Sequence, residues 1–457
     1  MIDQHMANLV LERALDKGAD FCEIFCEDKD ELTISRENGQ CKGTAQVHLF
    51  GAGIYLLQGT SRVYVYTSDL SEQGLMRLLD RGLGFMQTGT SRRLQSFYEK
   101  PITDPVYIRE YPGEVATARK AAILKNTDQA VAAAAKAEVQ AEYTYFDTDQ
   151  RIIVAASDGT WAQDRRVTSR VRGRFGISLN GESTGAWTDF TRPQGFECFQ
   201  DGRHIQTFCQ FVRELEESLT AKPGPRGLLP VVFEGGGAVG TFFHEACGHQ
   251  LETTNMQTKD AYFYRMLGKR VASECVTLID DGTLPGQYGS SKYDDEGMPR
   301  QRNVLIENGI LKSALVDRLG SLQFGLPRTG SGRRQNYTFA PAARMSNTYL
   351  APGTDDPDTM IRDIPLGILA TNIGGGTGGE EFTLVCPRAF LIKDGKIDRL
   401  LKGTMLIGRG DETMLKIDRV SSRLEWEEGG GFCGAASGLC NTTTSGARMR
   451  VTEMIVG

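Results

Sequence analysis

The sequence predicts an α+β protein: an N-terminal α+β domain with an antiparallel sheet and helices, then a C-terminal β-rich domain built around one helix that carries two histidines. Three observations predict it. Short apolar runs separated by Gly, Asn, Asp or Ser fill the stretch after the first helix, the pattern of an antiparallel meander. Two helical stretches and further strands follow. Beyond them glycine becomes dense and strand patterns dominate. At 457 residues the chain exceeds one compact core. Two domains are expected, 1–221 and 222–457.

Met6, Val10, Ala14 and Leu15 form one stripe of a short amphipathic helix that Gly18 stops. Strands are expected in FCEIFCE, ELTISREN, CKGTAQVHLF, AGIYLLQG and SRVYVYTS. A helix follows near LSEQGLMRLLDRGLGFM, and a longer alanine-rich one runs from about Glu114 to Gln140. AEYTYFDTD, RIIVAASDG and RVTSRVRGRFGISLNG read as strands, and HIQTFCQFVRELEESLTA as a closing helix. KPGPRG, Lys222 to Gly227, cannot continue a helix and is the linker candidate. Past it the only helical signals besides the histidine segment are VDRLGSLQFG and DPDTMIRDI. There is no repeat of fixed period and no low-complexity tail.

A formal charge of −6 points away from nucleic acid and anionic membranes. No stretch approaches the roughly 20 apolar residues of a membrane span, and the first residues lack the basic and apolar regions of a signal peptide. The ten cysteines show no zinc-finger spacing. In so large a chain they are expected to be reduced and mostly buried, in the cytoplasm.

The segment GLLPVVFEGGGAVGTFFHEACGHQLE reads as strand, glycine turn and helix. Its GGGAVG formally matches the dinucleotide fingerprint G-x-G-x-x-G, which would make the chain an oxidoreductase. No acidic residue ends a second strand about 20 residues on, as the ribose contact needs; a turn that lets helix and strand pack closely is the simpler reading. The histidines carry more. His244 and His249 are two of only five in the chain, and Glu245 follows the first. Five residues advance about 500° on a regular helix, leaving the rings about 140° apart. A π-type turn, which pairs i with i+5, brings them together, and Gly248 is where such a departure costs least. Glu245 is then free to act on water held by a metal. A catalytic zinc takes three protein ligands. The remaining histidines, His5, His48 and His204, lie in the first half. The third ligand is therefore expected among the Cys, Asp or Glu of the second. Cys433, flanked by glycines, is the first candidate and Cys440 its local competitor. Cys247 reads as a packing residue.

The stretches FHEACGHQLE, VASECVTLIDDGT, YDDEGMPRQRNVLIENGILKSAL, TGSGRRQNY, RMSNTYLAPG, AFLIKDGKI, KGTMLIGRG and GGFCG, in this order, resemble the TldD/PmbA metalloproteases. In the first half the resemblance is mainly GADFCEIFCED. It implies zinc held by His244, His249 and Cys433, with Glu245 as the catalyst. It also implies hydrolysis of peptides or unfolded segments, and a dimer of like chains or of a TldD-type with a PmbA-type chain. PmbA-type chains lack the zinc motif, so this sequence looks like the TldD-type. It departs from the family in GAASGLC, where a GKxGQ-like loop is usual, and in the glycine run before the helix. A catalytically silent peptide-binding partner of the same fold is the alternative.

A peptidase that accepts varied sequences must hold the peptide backbone, and an added strand on a sheet edge does so. TNIGGGTGGEEFTLV suits that role through Gly374, Gly375 and Gly376, with Gly378 and Gly379 beyond. Arg333 or Arg334 of GSGRRQNY is expected to pair with a substrate carboxylate in front of the histidines.

Overall fold

The structure is a computed structural model; it describes every residue of 1–457 except 88, 379, 380 and 428. Chain order in the first half is α1 (Gln4–Asp16), β1 (Phe21–Glu37), β2 (Gln40–Gln58), β3 (Ser61–Thr67), α2 (Glu72–Leu83), α3 (Thr117–Ala134), β4 (Glu138–Ala156), β5 (Trp161–Leu179), β6 (Glu182–Arg192) and α4 (Arg203–Ser218). The strands form one antiparallel sheet in the order β3-β2-β1-β4-β5-β6. Strand alternation assigns its two faces. Cys22, Ile24 and Cys26 of β1 join the core under α1 and α2. Leu32 and Ile34, on the same face, join the core under α3 and α4. The odd-numbered face of β1, with Glu23, Phe25 and Glu27, packs on the second half of the chain.

That second contact explains why several short expected strands are long single ones. FCEIFCE and ELTISREN form β1 together, and AEYTYFDTD and RIIVAASDG form β4. The charged residues between the apolar runs continue the strand instead of turning: Asp28, Lys29 and Asp30 pair with Phe50, Leu49 and His48 of β2 and with Arg151, Gln150 and Asp149 of β4. The expected long helix also ends early, at Ala134, because Glu138–Gln140 pair with Gly176–Ser178 of β5. DPDTMIRDI holds only a three-residue 3-10 turn, Pro357–Thr359, whereas VDRLGSLQFG contains the helix Arg318–Phe324.

The second half is β-rich. Its spine is the strand Gly438–Val456, which pairs antiparallel with Gly227–Phe233, Ile417–Glu425 and Gly431–Ala435, and parallel with Asn347–Leu350. Gly227–Phe233 turns through Gly236, at φ 86°, into the helix Gly237–Phe243. Val239, Phe242 and Phe243 bury that helix in the main core with Phe233, Met449 and Val451. Among the described residues no helix is long and apolar enough to cross a membrane.

Buried ion pairs join the halves. Arg334 donates to Glu23 at 2.5 Å, with both side chains at 0% exposure. Arg166 pairs with Asp295 and Arg318 with Asp158. Near this seam Asp317 caps the helix Arg318–Phe324, its carboxylate accepting from Gly320 N–H at 2.8 Å. Burial, and then the charge of Glu296, push the Asp317 carboxyl up to about 7. The unfolded chain releases that proton near about pH 3.9. The native state therefore binds more protons across the interval. Stability is full below the unfolded value and declines as pH rises toward 7. Asparagine caps a helix as well as aspartate does. Asp317→Asn is expected to flatten this decline, so that between about pH 5 and about pH 7.5 the wild type loses a few degrees of melting midpoint that the variant keeps. Parallel melting profiles would assign the proton elsewhere.

Candidate metal centre

The helix Gly237–Phe243 does not continue regularly. His244–Gly248 is a π-turn, closed by a hydrogen bond from His249 N–H to the His244 carbonyl, and His249–Leu251 tightens to a 3-10 turn. The extra residue absorbs the rotation that a regular helix would have put between the rings. The two ring centroids are 4.7 Å apart at an interplanar angle of 84°. Gly248 is needed here for space: a Cβ on it would stand 2.4 Å from Met345 Sδ.

Cys433 arrives from far along the chain. It lies on the strand Gly431–Ala435, directly opposite Cys440 in the hairpin with Gly438–Val456. Its Sγ is 3.1 Å from His244 Nε2 and 3.3 Å from His249 Nε2. Burial alone would raise the thiol, but hydrogen bonds and charge from His244 and His249 outweigh it and bring Cys433 down to about 5. For His249, burial works downward, while the contacts with Cys433 and Glu252 raise it to about 10. The sulfur is thus held as a thiolate, the form that binds metals.

The donor set fits zinc. All three ligand atoms lie within 4.8 Å of one another. Bonds of about 2.3 Å to sulfur and about 2.0–2.1 Å to nitrogen place atoms about 3.3–3.6 Å apart around a tetrahedral ion, leaving the fourth position open. The competing cysteines are used differently. Burial pushes up the Cys440 thiol, whose Sγ lies 3.9 Å from Arg344 Nη1. Cys247 is fully buried and donates to the Phe243 carbonyl. His48 sits at the surface beside Asp28 and Asp30, and His204 packs between Phe190 and Phe199.

Two supporting residues escaped the sequence reading. Glu252 Oε2 is 3.3 Å from His249 Nδ1, the arrangement that orients a metal-binding imidazole. The other carboxylate oxygen of Glu252 accepts from Met345 N–H and lies 3.5 Å from Arg344 Nε. Arg344, 1% exposed, also donates to the Cys433 carbonyl at 2.6 Å and the Gly438 carbonyl at 3.0 Å. It ties the cysteine hairpin to the histidine turn. Glu252 could have been suspected from its place three residues after His249; Arg344 gives no such signal.

Glu245 is half-buried and makes no hydrogen bond or ion pair among the described residues. The glycine tract lies against it. The strand Gly375–Thr377 pairs only with Glu381–Cys386 among the described strands, so its second edge is open. A Cβ on Gly376 would stand 3.0 Å from Glu245 Cγ, and one on Gly378 2.8 Å from Glu245 Oε2. Gly374 sits against Pro387, and Gly379 lies outside the described residues. The two arginines part company. Arg334 is spent on Glu23 and on the Asp295 carbonyl, so the expectation that it meets substrate is corrected. Arg333 donates to the Met345 and Asn441 carbonyls and has no carboxylate within ion-pair reach among the described residues.

GGGAVG cannot serve a dinucleotide. The carboxylates of Glu425 and Glu427 pack against Gly235 and Gly237, 2.8 Å between each carboxyl carbon and the position of an added Cβ. They fill the space that phosphates held by this turn would occupy.

Comparison with known proteins agrees with this geometry. Family models of the PmbA/TldA metallopeptidases match along the chain: domain 1 at residues 22–84, the central domain at 110–219 and the C-terminal domain at 226–457. The chain belongs to the TldD/PmbA metallopeptidase family. Within it, the metalloprotease TldD homolog of Buchnera aphidicola is 32% identical over 449 residues, 93% of this chain and 90% of that one. The TldD homolog of Haemophilus influenzae is 31% identical, covering 96% and 93%. TldE of Thermococcus kodakarensis shares the TldD/PmbA fold, with a TM-score of 0.76 at 16% identity over 99% of this chain and 100% of its own.

Proposed function

We propose that the protein is a zinc-dependent metallopeptidase that hydrolyses peptides or unfolded polypeptide segments, with His244, His249 and Cys433 as ligands and Glu245 as the general base and acid. The observation that carries this reading is the convergence of two imidazoles and one thiolate beside a carboxylate with no partner among the described residues. Zinc bound there supplies a Lewis acid that acidifies water and polarises a carbonyl. Glu245 takes the proton from the attacking water on a carboxylate oxygen and returns it to the leaving amine. The open edge of Gly375–Thr377, beside Glu245, receives the substrate backbone as an added strand; Gly374, Gly375 and Gly376 leave room for it. Arg333 remains available to a substrate carboxylate. On this reading residues 222–457 carry the chemistry and 1–221 shape access to it, in the cytoplasm, as a homodimer or beside a PmbA-type chain. A partner role without catalysis would leave unexplained a Glu245 that has no partner among the described residues, beside three groups able to hold a metal.

The test is digestion of an unstructured peptide by the zinc-loaded protein, followed by mass spectrometry. Cleavage that stops on chelation and returns with zinc supports the reading; an intact peptide under all three conditions sinks it. The support under His249 is measurable too. Glu252→Gln removes the charge that orients the ring, and zinc affinity is expected to fall by about tenfold or more, as read by competition with a chromogenic chelator. An unchanged affinity would reduce Glu252 to a packing role.

A further inference from the structure

A cavity of about 710 Å³ lies between the sheet of the first half and the cysteine hairpin of the second, within the size range of small-ligand sites. Seven basic side chains and four carboxylates line it, in a chain whose formal charge is −6. Most of the basic groups are matched. Arg165 pairs with Asp149, Arg166 with Asp164 and Asp295, Arg334 with Glu23, and Lys29 with Glu31. Arg170 and Arg172 share the single carboxylate of Asp189. Arg333 has none among the described residues.

Unused donors meet at one corner of this cavity. Tyr288 is 3% exposed, and among the described residues its hydroxyl makes no hydrogen bond of ordinary geometry, only a weak contact with Thr168. Arg170 Nε is also buried without a partner among the described residues. Burial and the Asp189 carboxylate push the Tyr288 hydroxyl up, against the opposing charges of Arg170 and Arg333. Phe432 organises the corner: its ring lies 4.8 Å from the Arg170 guanidinium carbon and 5.8 Å from the Tyr288 ring centre. It pairs across the hairpin with Asn441, whose carbonyl accepts from Arg333 at 2.6 Å. Tyr288 is anchored by its own N–H, which donates to Thr443 Oγ1 at 3.1 Å. Buried donors left unpaired are costly, and two guanidinium groups sharing one carboxylate leave positive charge over. A carboxylate satisfies both deficits, and guanidinium is well shaped to bind it. Phe432 immediately precedes Cys433, and successive strand residues face opposite ways, so this corner adjoins the metal centre across one strand.

We propose that Tyr288, Arg170 and Arg333 form a subsite that binds a carboxylate of the peptide, either its C-terminal group or an acidic side chain. The subsite rests on the proposed peptidase reading for its purpose, though binding can be measured without turnover. The probe is a fluorescein-labelled, unstructured hexapeptide with a free C-terminus, compared with its C-terminal amide. Anisotropy is read on the full-length, zinc-loaded Glu245→Gln chain. The free acid is expected to bind about tenfold more tightly than the amide. Adding Tyr288→Phe removes only the hydroxyl, and should cut that preference to about threefold. Adding Arg333→Gln should abolish it. A second pair of amidated peptides, with an internal Glu or Gln, separates the two carboxylate sources; preference in either pair supports the subsite. Equal binding within both pairs, no binding of any peptide, or a preference untouched by both substitutions overturns it. Should the wild type fail to cleave any peptide while the carboxylate preference persists, the peptidase reading falls and the subsite stands.

Discussion

Replacing Glu245 by glutamine is expected to lower peptide cleavage by about 10²–10⁴-fold while bound zinc is retained. The substitution keeps the shape of the side chain and removes only its capacity to accept and return a proton. Nothing in the fold depends on that charge, since Glu245 has no hydrogen-bonding or ionic partner among the described residues. The surrounding space is also kept: Gly376 and Gly378 approach the side chain closely, and glutamine occupies the same volume. The measurement is kcat on a quenched fluorescent peptide, set beside metal content and melting midpoint. A variant that cleaves at the wild-type rate would remove Glu245 from the chemistry. One that loses activity and zinc together would make it a ligand rather than a base.

Cys433→Ser and His244→Ala are each expected to reduce zinc from about one per chain to less than about a tenth of that after dialysis, and to abolish cleavage. The distances of 3.1 and 3.3 Å from Cys433 Sγ to the two Nε2 atoms place all three groups around one point, so loss of any one leaves two ligands. A serine hydroxyl is a far poorer zinc ligand than a thiolate. Cys440→Ser is the internal control. It lies opposite Cys433 in the same hairpin but is not among the three converging groups, and zinc should remain. Elemental analysis decides the matter. Zinc retained in Cys433→Ser and lost in Cys440→Ser would exchange their roles.

The histidine turn was legible because five residues between His244 and His249 overrun a regular helix, and the π-turn is the local solution. The glycines around Cys433 pointed to the hairpin whose thiol lies beside the two imidazoles. What stayed hidden depends on distant chain segments. Arg344 is linked to Glu252 across 92 positions and to the Cys433 carbonyl across 89. No local pattern records such a meeting. The same cause made Arg334 look available to a substrate carboxylate: its partner Glu23 lies 311 positions away, on a strand of the other half. β1 itself was divided into short pieces because alternation is a clean signal only when one face meets water. Here both faces are covered, one by helices and one by ion pairs to the second half. The boundary of α3 was misplaced because alanine favours helix in isolation, whereas pairing with β5 takes the chain from Glu138 onward.

The cysteine hairpin has a thermodynamic consequence. His244 and Cys433 are 189 positions apart, and His249 and Cys433 are 184. Bringing such distant groups together in a disordered chain costs about 5 kcal/mol of closure entropy. An unfolded chain therefore holds the two histidines near each other but not the thiolate, and its grip on a metal is correspondingly loose. In compact short-spaced zinc sites the ligands are already neighbours before folding. In this protein the completed ligand set exists only once the C-terminal strand has found its place, so with zinc in the proposed centre nearly all of the binding free energy adds to folding. The ion would then report on assembly of the whole second half, and its release would register the departure of that hairpin before any change at the histidine turn.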